Sequence, residues 1–155
     1  MLRKIISGGQ TGADIAGIDA AIKCGFPYGG WLPKGRKTEN GPLSDKYKMQ
    51  EMTGEGYPKR TEQNVIESAG TVIFTHKKLA GGSRLTSDLA ESWGKPWLHI
   101  NLSQMTNKEA FNSLSSWVKK NNIEILNVAG SRASKDPDIY SKVFLIIEML
   151  LNNNK

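Results

Sequence analysis

The stretch Lys4–Gly17, KIISGGQTGADIAG, holds a short apolar run, then three glycines (Gly8, Gly9, Gly12), then the opening of a helical pattern. Arg3–Ser7 (RKIIS) reads as a short strand. Ile15, Ile18, Ala21 and Ile22 recur at helical spacing, which predicts a helix over Gly12–Cys24 closed by Gly25. Backbone freedom is thus concentrated where a strand hands over to a helix.

Working outward, the periodicity stops from Phe26 to about Pro58, a segment rich in Gly, Pro and charge. Loops of that length inside compact domains are commonly functional. Trp31, Leu32, Leu43, Tyr47 and Tyr57 are candidate anchors, set against the alternative of a disordered insertion. Regular units then return: a helix over Arg60–Ala69, a strand over Thr71–Thr75, a loop at Gly81–Ser83 and a helix over Leu85–Trp93. Pro96–Leu102 reads as a strand. Thr106 or Asn107 caps a helix to about Lys120, Ile123–Ala129 is a strand, and Pro137 opens a last helix. Trp93, Trp97 and Trp117 are expected in the core, and Cys24 as core or helix-end packing rather than a nucleophile. Strands alternate with helices, and most strands are apolar on both faces. That pattern predicts an α/β fold, a mostly parallel sheet with helices on both faces, in a single domain over residues 1–155.

In such sheets ligands sit beyond the carboxyl ends of the strands. Three glycine-bearing loops fall there: Gly8-Gly9-Gln10-Thr11-Gly12, Gly81-Gly82-Ser83 and Gly130-Ser131-Arg132. Glycine lets backbone N–H groups approach a ligand, and the helix N-terminus behind supplies free donors and partial positive charge. The alternative is tight strand–helix packing with no ligand. Three loops at equivalent positions favour an oxyanion, with Thr11, Ser83, Thr86 and Ser131 adding hydroxyls. Arg36, Arg60 and Arg132 are candidate counter-charges, and Asn64 a candidate orienting group. Asp14 reads as a helix-end acid, and Asp88 and Glu91 as a solvated helix face rather than an acid–base pair. Trp31 is placed to stack on a heterocycle.

Several classes lose support. Gly12 is followed by Ala13-Asp14, not the Lys-Ser/Thr of a P-loop, and GGQTG lacks the dinucleotide spacing. His76 and His99 have no partner at metal-ligand spacing, so no metal site is expected. The net charge of +6 favours an anionic partner, yet no basic stripe with interleaved aromatics points to nucleic acid. The most apolar stretch, Val143–Leu151, is too short to span a bilayer, no leader is evident, and one cysteine fits a reducing cytoplasm.

Five ordered blocks carry a family resemblance: SGGQTGAD (7–14), GWLPKGRKTENGPLSDKY (30–47), YPKRTEQNVIESAGTVIF (57–74), LAGGSRLT (79–86) and LNVAGSRASKDPDIY (126–140). Together they resemble the "putative molybdenum carrier" family. That family is similar in turn to molybdenum cofactor carrier proteins and to the lysine-decarboxylase-like group that includes phosphoribohydrolases, of which it looks like a circularly permuted relative. The resemblance implies a three-layer Rossmann-like sandwich that binds a phosphorylated heterocycle or nucleotide at its glycine loops. Molybdenum cofactor is the named cargo, molybdoenzymes the partners and a homo-oligomer, dimer or tetramer, the assembly. It implies a carrier more than an enzyme, the alternatives being a nucleoside-monophosphate phosphoribohydrolase-like enzyme or a nucleotide-sensing binding protein. Where the phosphoribohydrolases carry P-G-G-x-G-T-x-x-E, this chain has A-G-G-S-R-L-T-S-D over Ala80–Asp88. Asp88 falls at the position of their catalytic glutamate, behind a changed turn.

Overall fold

The computed structural model describes residues 1–54 and 57–154, with the side chain of Tyr57 outside the description. In chain order the elements are β1 (Lys4–Ile6), α1 (Ala13–Lys23), β2 (Tyr28–Gly29), β3 (Trp31–Leu32), β4 (Lys37–Thr38), β5 (Gly41–Pro42), β6 (Gln50–Glu51) and α2 (Tyr57–Glu67). There follow β7 (Gly70–Thr75), α3 (Gly81–Ser92), β8 (Trp97–Asn101), α4 (Asn107–Lys120), β9 (Ile125–Gly130) and α5 (Ile139–Asn152). Among the described residues, five strands form one sheet in the order β2-β1-β9-β7-β8. Every pairing in it is parallel.

Helices cover both faces. On one side α1 packs on α5 and α5 on α4; on the other α2 packs on α3. The two faces differ in what the strands send them. Ile5, Val72, Phe74, Ile100, Leu126 and Val128 join the large core under α1, α4 and α5. Alternate residues along the same strands point the other way, and there the set is smaller and more polar: Ile6, Ile73, Thr71 and Asn127, all buried. The face under α2 and α3 therefore has less apolar bulk. On the other face α1 lies so close to β9 that a Cβ at Gly17 would come within 2.9 Å of Val128.

The chain ends meet. Leu2 N donates to Asn154 Oδ1 and Asn154 Nδ2 donates to Leu2 O, both at 3.0 Å. Read as a closed circle starting at β9, the strands run β9, β1, β2, β7, β8. In that count the sheet order becomes 3-2-1-4-5, the doubly wound arrangement. The strand order reverses between β9 and β7.

The segment expected to lack pattern carries short elements instead: β3 pairs with β6 in parallel and β4 with β5 antiparallel. Of its expected anchors, Leu32 and Tyr47 are buried, and Leu43 packs against the core. Tyr47 donates to Asp19 Oδ1 at 2.7 Å. Two expectations need correction. Gly81–Ser83 is the first turn of α3, not a loop. Ser83 Oγ closes that turn, accepting from Ala80 N at 3.0 Å and donating to Ala80 O at 2.7 Å. Trp93 and Trp97 are not core: Trp93 is 48% exposed with its indole donating to Glu62 at 3.0 Å, and the half-buried Trp97 sends its indole to Glu91 Oε1 at 2.8 Å. Cys24 caps α1 as expected of a helix-end residue. No helix among the described residues is long and apolar enough to cross a membrane.

Candidate functional site

A cavity of about 570 Å³ opens at the β9–β7 reversal, on the face covered by α2 and α3. All three glycine loops of the sequence contribute to it: Gly8 and Gln10, Gly81 to Ser83, and Gly130 to Arg132. Among the described residues its charged lining is Arg60, Lys77, Arg132 and Lys135 against a single carboxylate, Asp14. The size is that of a small-molecule site, and the balance of charge suits an anion.

Gly8, two residues beyond β1, makes room for Arg60 rather than for a ligand. A Cβ there would stand 1.5 Å from Arg60 Nη1. Arg60 reaches through that gap from α2 to Asp14 in the first turn of α1, Nη1 to Oδ2 at 3.3 Å, with both side chains 10% exposed. Asp14 Oδ2 also accepts from Gln10 N at 3.3 Å. Burial pushes the Asp14 carboxyl up to about 6, and the Arg60 charge and the Gln10 N–H offset only part of that. Asp14 is thus a floor group of the cavity as well as a helix-end acid.

The glycines of α3 behave differently. At Gly82 an added Cβ would meet nothing within 4 Å, and its backbone is not left-handed. Neither packing nor conformation demands a glycine, yet it lies in a helix where glycine is disfavoured. Its bare backbone faces open cavity. Ser83 N already donates to Ala80 O at 3.1 Å, and Ala80 at the N-cap offers no side-chain acceptor, so the N–H groups this turn can offer are those of Gly81 and Gly82. Thr86 Oγ donates to Gly82 O at 2.9 Å and steadies the turn.

Glu39, at the tip of the β4–β5 hairpin, clasps the rim. It accepts from Ser134 Oγ at 2.6 Å and Ser134 N at 3.0 Å, and from Thr11 Oγ. Its own N–H donates to Gln10 Oε1 at 2.9 Å, and Arg132 Nε lies 3.6 Å from its carboxylate. The bonds from Ser134 and Thr11 hold the Glu39 carboxyl below the usual carboxylate range.

Of the residues singled out from sequence, Gly8, Gln10, Arg60, Asn64, Gly81, Gly82, Ser83, Thr86, Gly130 and Arg132 line the cavity. Gly9, Thr11, Gly12 and Arg36 do not. Gly9 (φ +72°) sits under Leu32, and Gly12 (φ +83°) packs against Ser131 O. Thr11 is engaged with Glu39 and accepts from Ala133 N at 3.1 Å. Arg36 braces its own loop, donating to Leu43 O, Ser44 O and Tyr47 O at 2.8–3.0 Å. Asn64 holds strand β3: its Oδ1 accepts from Trp31 N at 2.8 Å and its Nδ2 donates to Trp31 O at 3.1 Å. The Trp31 indole turns to Glu67, away from the cavity lining. Asp88 pairs with Arg84, each side chain 65% exposed, and neither Asp88 nor Glu91 lines the cavity. Sequence reasoning missed Thr61, Lys77, Lys135 and Asn127. Asn127 alone carried a signal, as a polar residue inside the apolar run ILNVA.

Fold and site together define a circularly permuted, doubly wound α/β domain with a cationic cavity at its strand-order reversal. Residues 5–151 match the circularly permutated YpsA SLOG family, and the chain belongs to that family. The chain is also similar to the "Putative molybdenum carrier protein" of Syntrophus aciditrophicus SB, whose crystal structure superposes with a TM-score of 0.94. The two share 49% identity over 97% of this chain and 95% of the other. No curated protein matches the chain.

Proposed function

We propose that the cavity binds a small phosphorylated ligand without transforming it, and that molybdenum cofactor is its cargo. The carrying observation is Gly82: an open glycine in the first turn of α3, facing a cavity whose lining cations outnumber its one carboxylate. Such a turn offers N–H donors to an oxyanion, and Arg60, Lys77, Arg132 and Lys135 add charge. The word molybdenum in the name of the similar protein of Syntrophus aciditrophicus supports this cargo, and the chemistry of the cofactor fits. It is a pterin with a terminal phosphate, and its metal is held by its own sulfurs. The protein then needs a phosphate grip and a place for the ring, not metal ligands. Among the described residues no cluster of His, Cys, Asp or Glu is arranged to hold a metal ion. Molybdoenzymes are the recipients this reading proposes, in the cytoplasm, with the carrier as a homo-oligomer.

An anaerobic titration with molybdenum cofactor, read by pterin fluorescence beside a nucleoside monophosphate, tests the reading. Cofactor binding near ~1 µM, about 8 kcal/mol, with the nucleotide much weaker, is the expected result. Nucleotide binding without cofactor binding would overturn the cargo and leave the anion site standing.

A further inference from the structure

The cavity changes character with depth. Lys77, Arg132 and Lys135 stand on the loops that leave β7 and β9. Asn127 lines the same cavity three residues before β9 ends at Gly130, roughly 10 Å further down at ~3.3 Å per residue. Between the mouth and Asn127 the lining adds the apolar side chain of Ala129, one residue before β9 ends, and it also includes Leu85 and the Thr61 hydroxyl.

Asn127 is 3% exposed on a strand whose neighbours Leu126 and Val128 are fully buried and apolar. A carboxamide so placed is costly unless its polar ends are bonded. One end is committed: Nδ2 donates to Oγ1 of Thr71, its register partner on β7, at 3.2 Å. Oδ1 has no hydrogen-bond partner among the described residues, yet it is not sealed from solvent. For a side chain this buried, the opening is the cavity itself. Turning the amide over would present NH₂ instead, so in either orientation one polar end faces inward.

Resting on the anion reading above, we infer that Asn127 sets the specificity of the cavity: its carboxamide hydrogen-bonds the uncharged edge of a planar heterocycle whose phosphate is held by the loops at the mouth. A ring entering between Leu85 and Ala129 covers apolar surface and gives the amide its missing partner. A bare phosphate or a sugar phosphate fills the mouth and leaves that amide unbonded, which is how a buried polar group rejects a ligand lacking the matching edge. Guanine and pterin rings both carry adjacent donor and acceptor groups of the kind a carboxamide reads.

The test is calorimetric titration of the full chain and of two variants, Asn127→Leu and Asn127→Ala. The probes are inorganic phosphate, ribose 5-phosphate, GMP and a pterin monophosphate. The wild type is expected to bind at least one heterocyclic probe tenfold or more tighter than ribose 5-phosphate. Asn127→Leu brings that ratio close to one and leaves ribose 5-phosphate unchanged. Asn127→Ala removes the amide and adds no bulk, so it carries the test if the leucine variant does not fold, and it too loses the preference. An undiminished ratio in a folded variant overturns the role of Asn127. Equal binding of all phosphate probes by the wild type overturns this inference alone. Binding of none overturns the anion reading and this inference with it.

Discussion

Replacing Gly82 by alanine separates what the fold needs from what the site needs. The added methyl meets no protein atom within 4 Å, and the backbone there is not left-handed. Alanine favours a helix over glycine by up to about 1 kcal/mol. In a chain of 155 residues that raises Tm by roughly 2–4 °C. The same methyl occupies space at the turn proposed to hold the oxyanion, so affinity should fall at least tenfold, about 1.4 kcal/mol. Gly81 next door is the control: its φ of +51° makes alanine cost about 1–2 kcal/mol, and Tm should drop. Thermal unfolding without ligand and calorimetry with one phosphorylated probe read the two effects separately. A lower Tm for Gly82→Ala would mean that the fold requires this glycine. Unchanged affinity would remove the α3 turn from the site.

At Gly8 the expectation reverses, because the methyl displaces the Arg60 guanidinium 1.5 Å away; breaking a buried ion pair costs about 3–5 kcal/mol. Urea unfolding of Gly8→Ala that shows almost no loss would refute the interlock. Asp14 gives a pH dependence. Its carboxyl rises from 3.8 to about 6 on folding, so the folded state binds the proton more tightly. Its contribution to stability is greatest below pH 3.8 and is lost as pH climbs through 6, about 3 kcal/mol in all. The stability of Asp14→Asn minus that of the wild type should therefore rise by about 3 kcal/mol between roughly pH 4 and 7, and a flat difference in urea titrations would contradict this. Finally, a permutant that joins the ends at Leu2 and Asn154 and opens at Asn121–Asn122 begins with β9. It should unfold within a few degrees of the parent, and failure to fold would show that the chain order itself is required.

Much of the sheet was legible because strands such as GTVIFT carry no charged residue on either face, which suits a sheet covered on both sides. The meeting of the glycine loops follows from the same topology, since parallel strands put their carboxyl ends on one edge. What could not be read was the occupant of the space each glycine leaves. GGQTG looks the same whether a missing Cβ admits a ligand or another part of the protein. Gly8 admits Arg60, Gly9 lies under Leu32 and Gly12 abuts Ser131, contacts made by residues remote in the chain. Arg36 shows the same limit: its charge suggested a ligand clamp, but three carbonyls of its own loop surround it. Gly81 and Gly82 looked like a loop by propensity, and Ser83 closes them into a helix.

The hydrogen-bonded chain ends lie at the edge where β1 begins and α5 finishes, opposite the edge where the cavity opens. A strand of five or six residues separates the two edges, about 20 Å. Anything fused, tethered or naturally appended at either end stands clear of the mouth. Surface attachment through a terminal tag would present every molecule with its cavity outward, and a delivery partner could approach the mouth without first displacing whatever the ends carry.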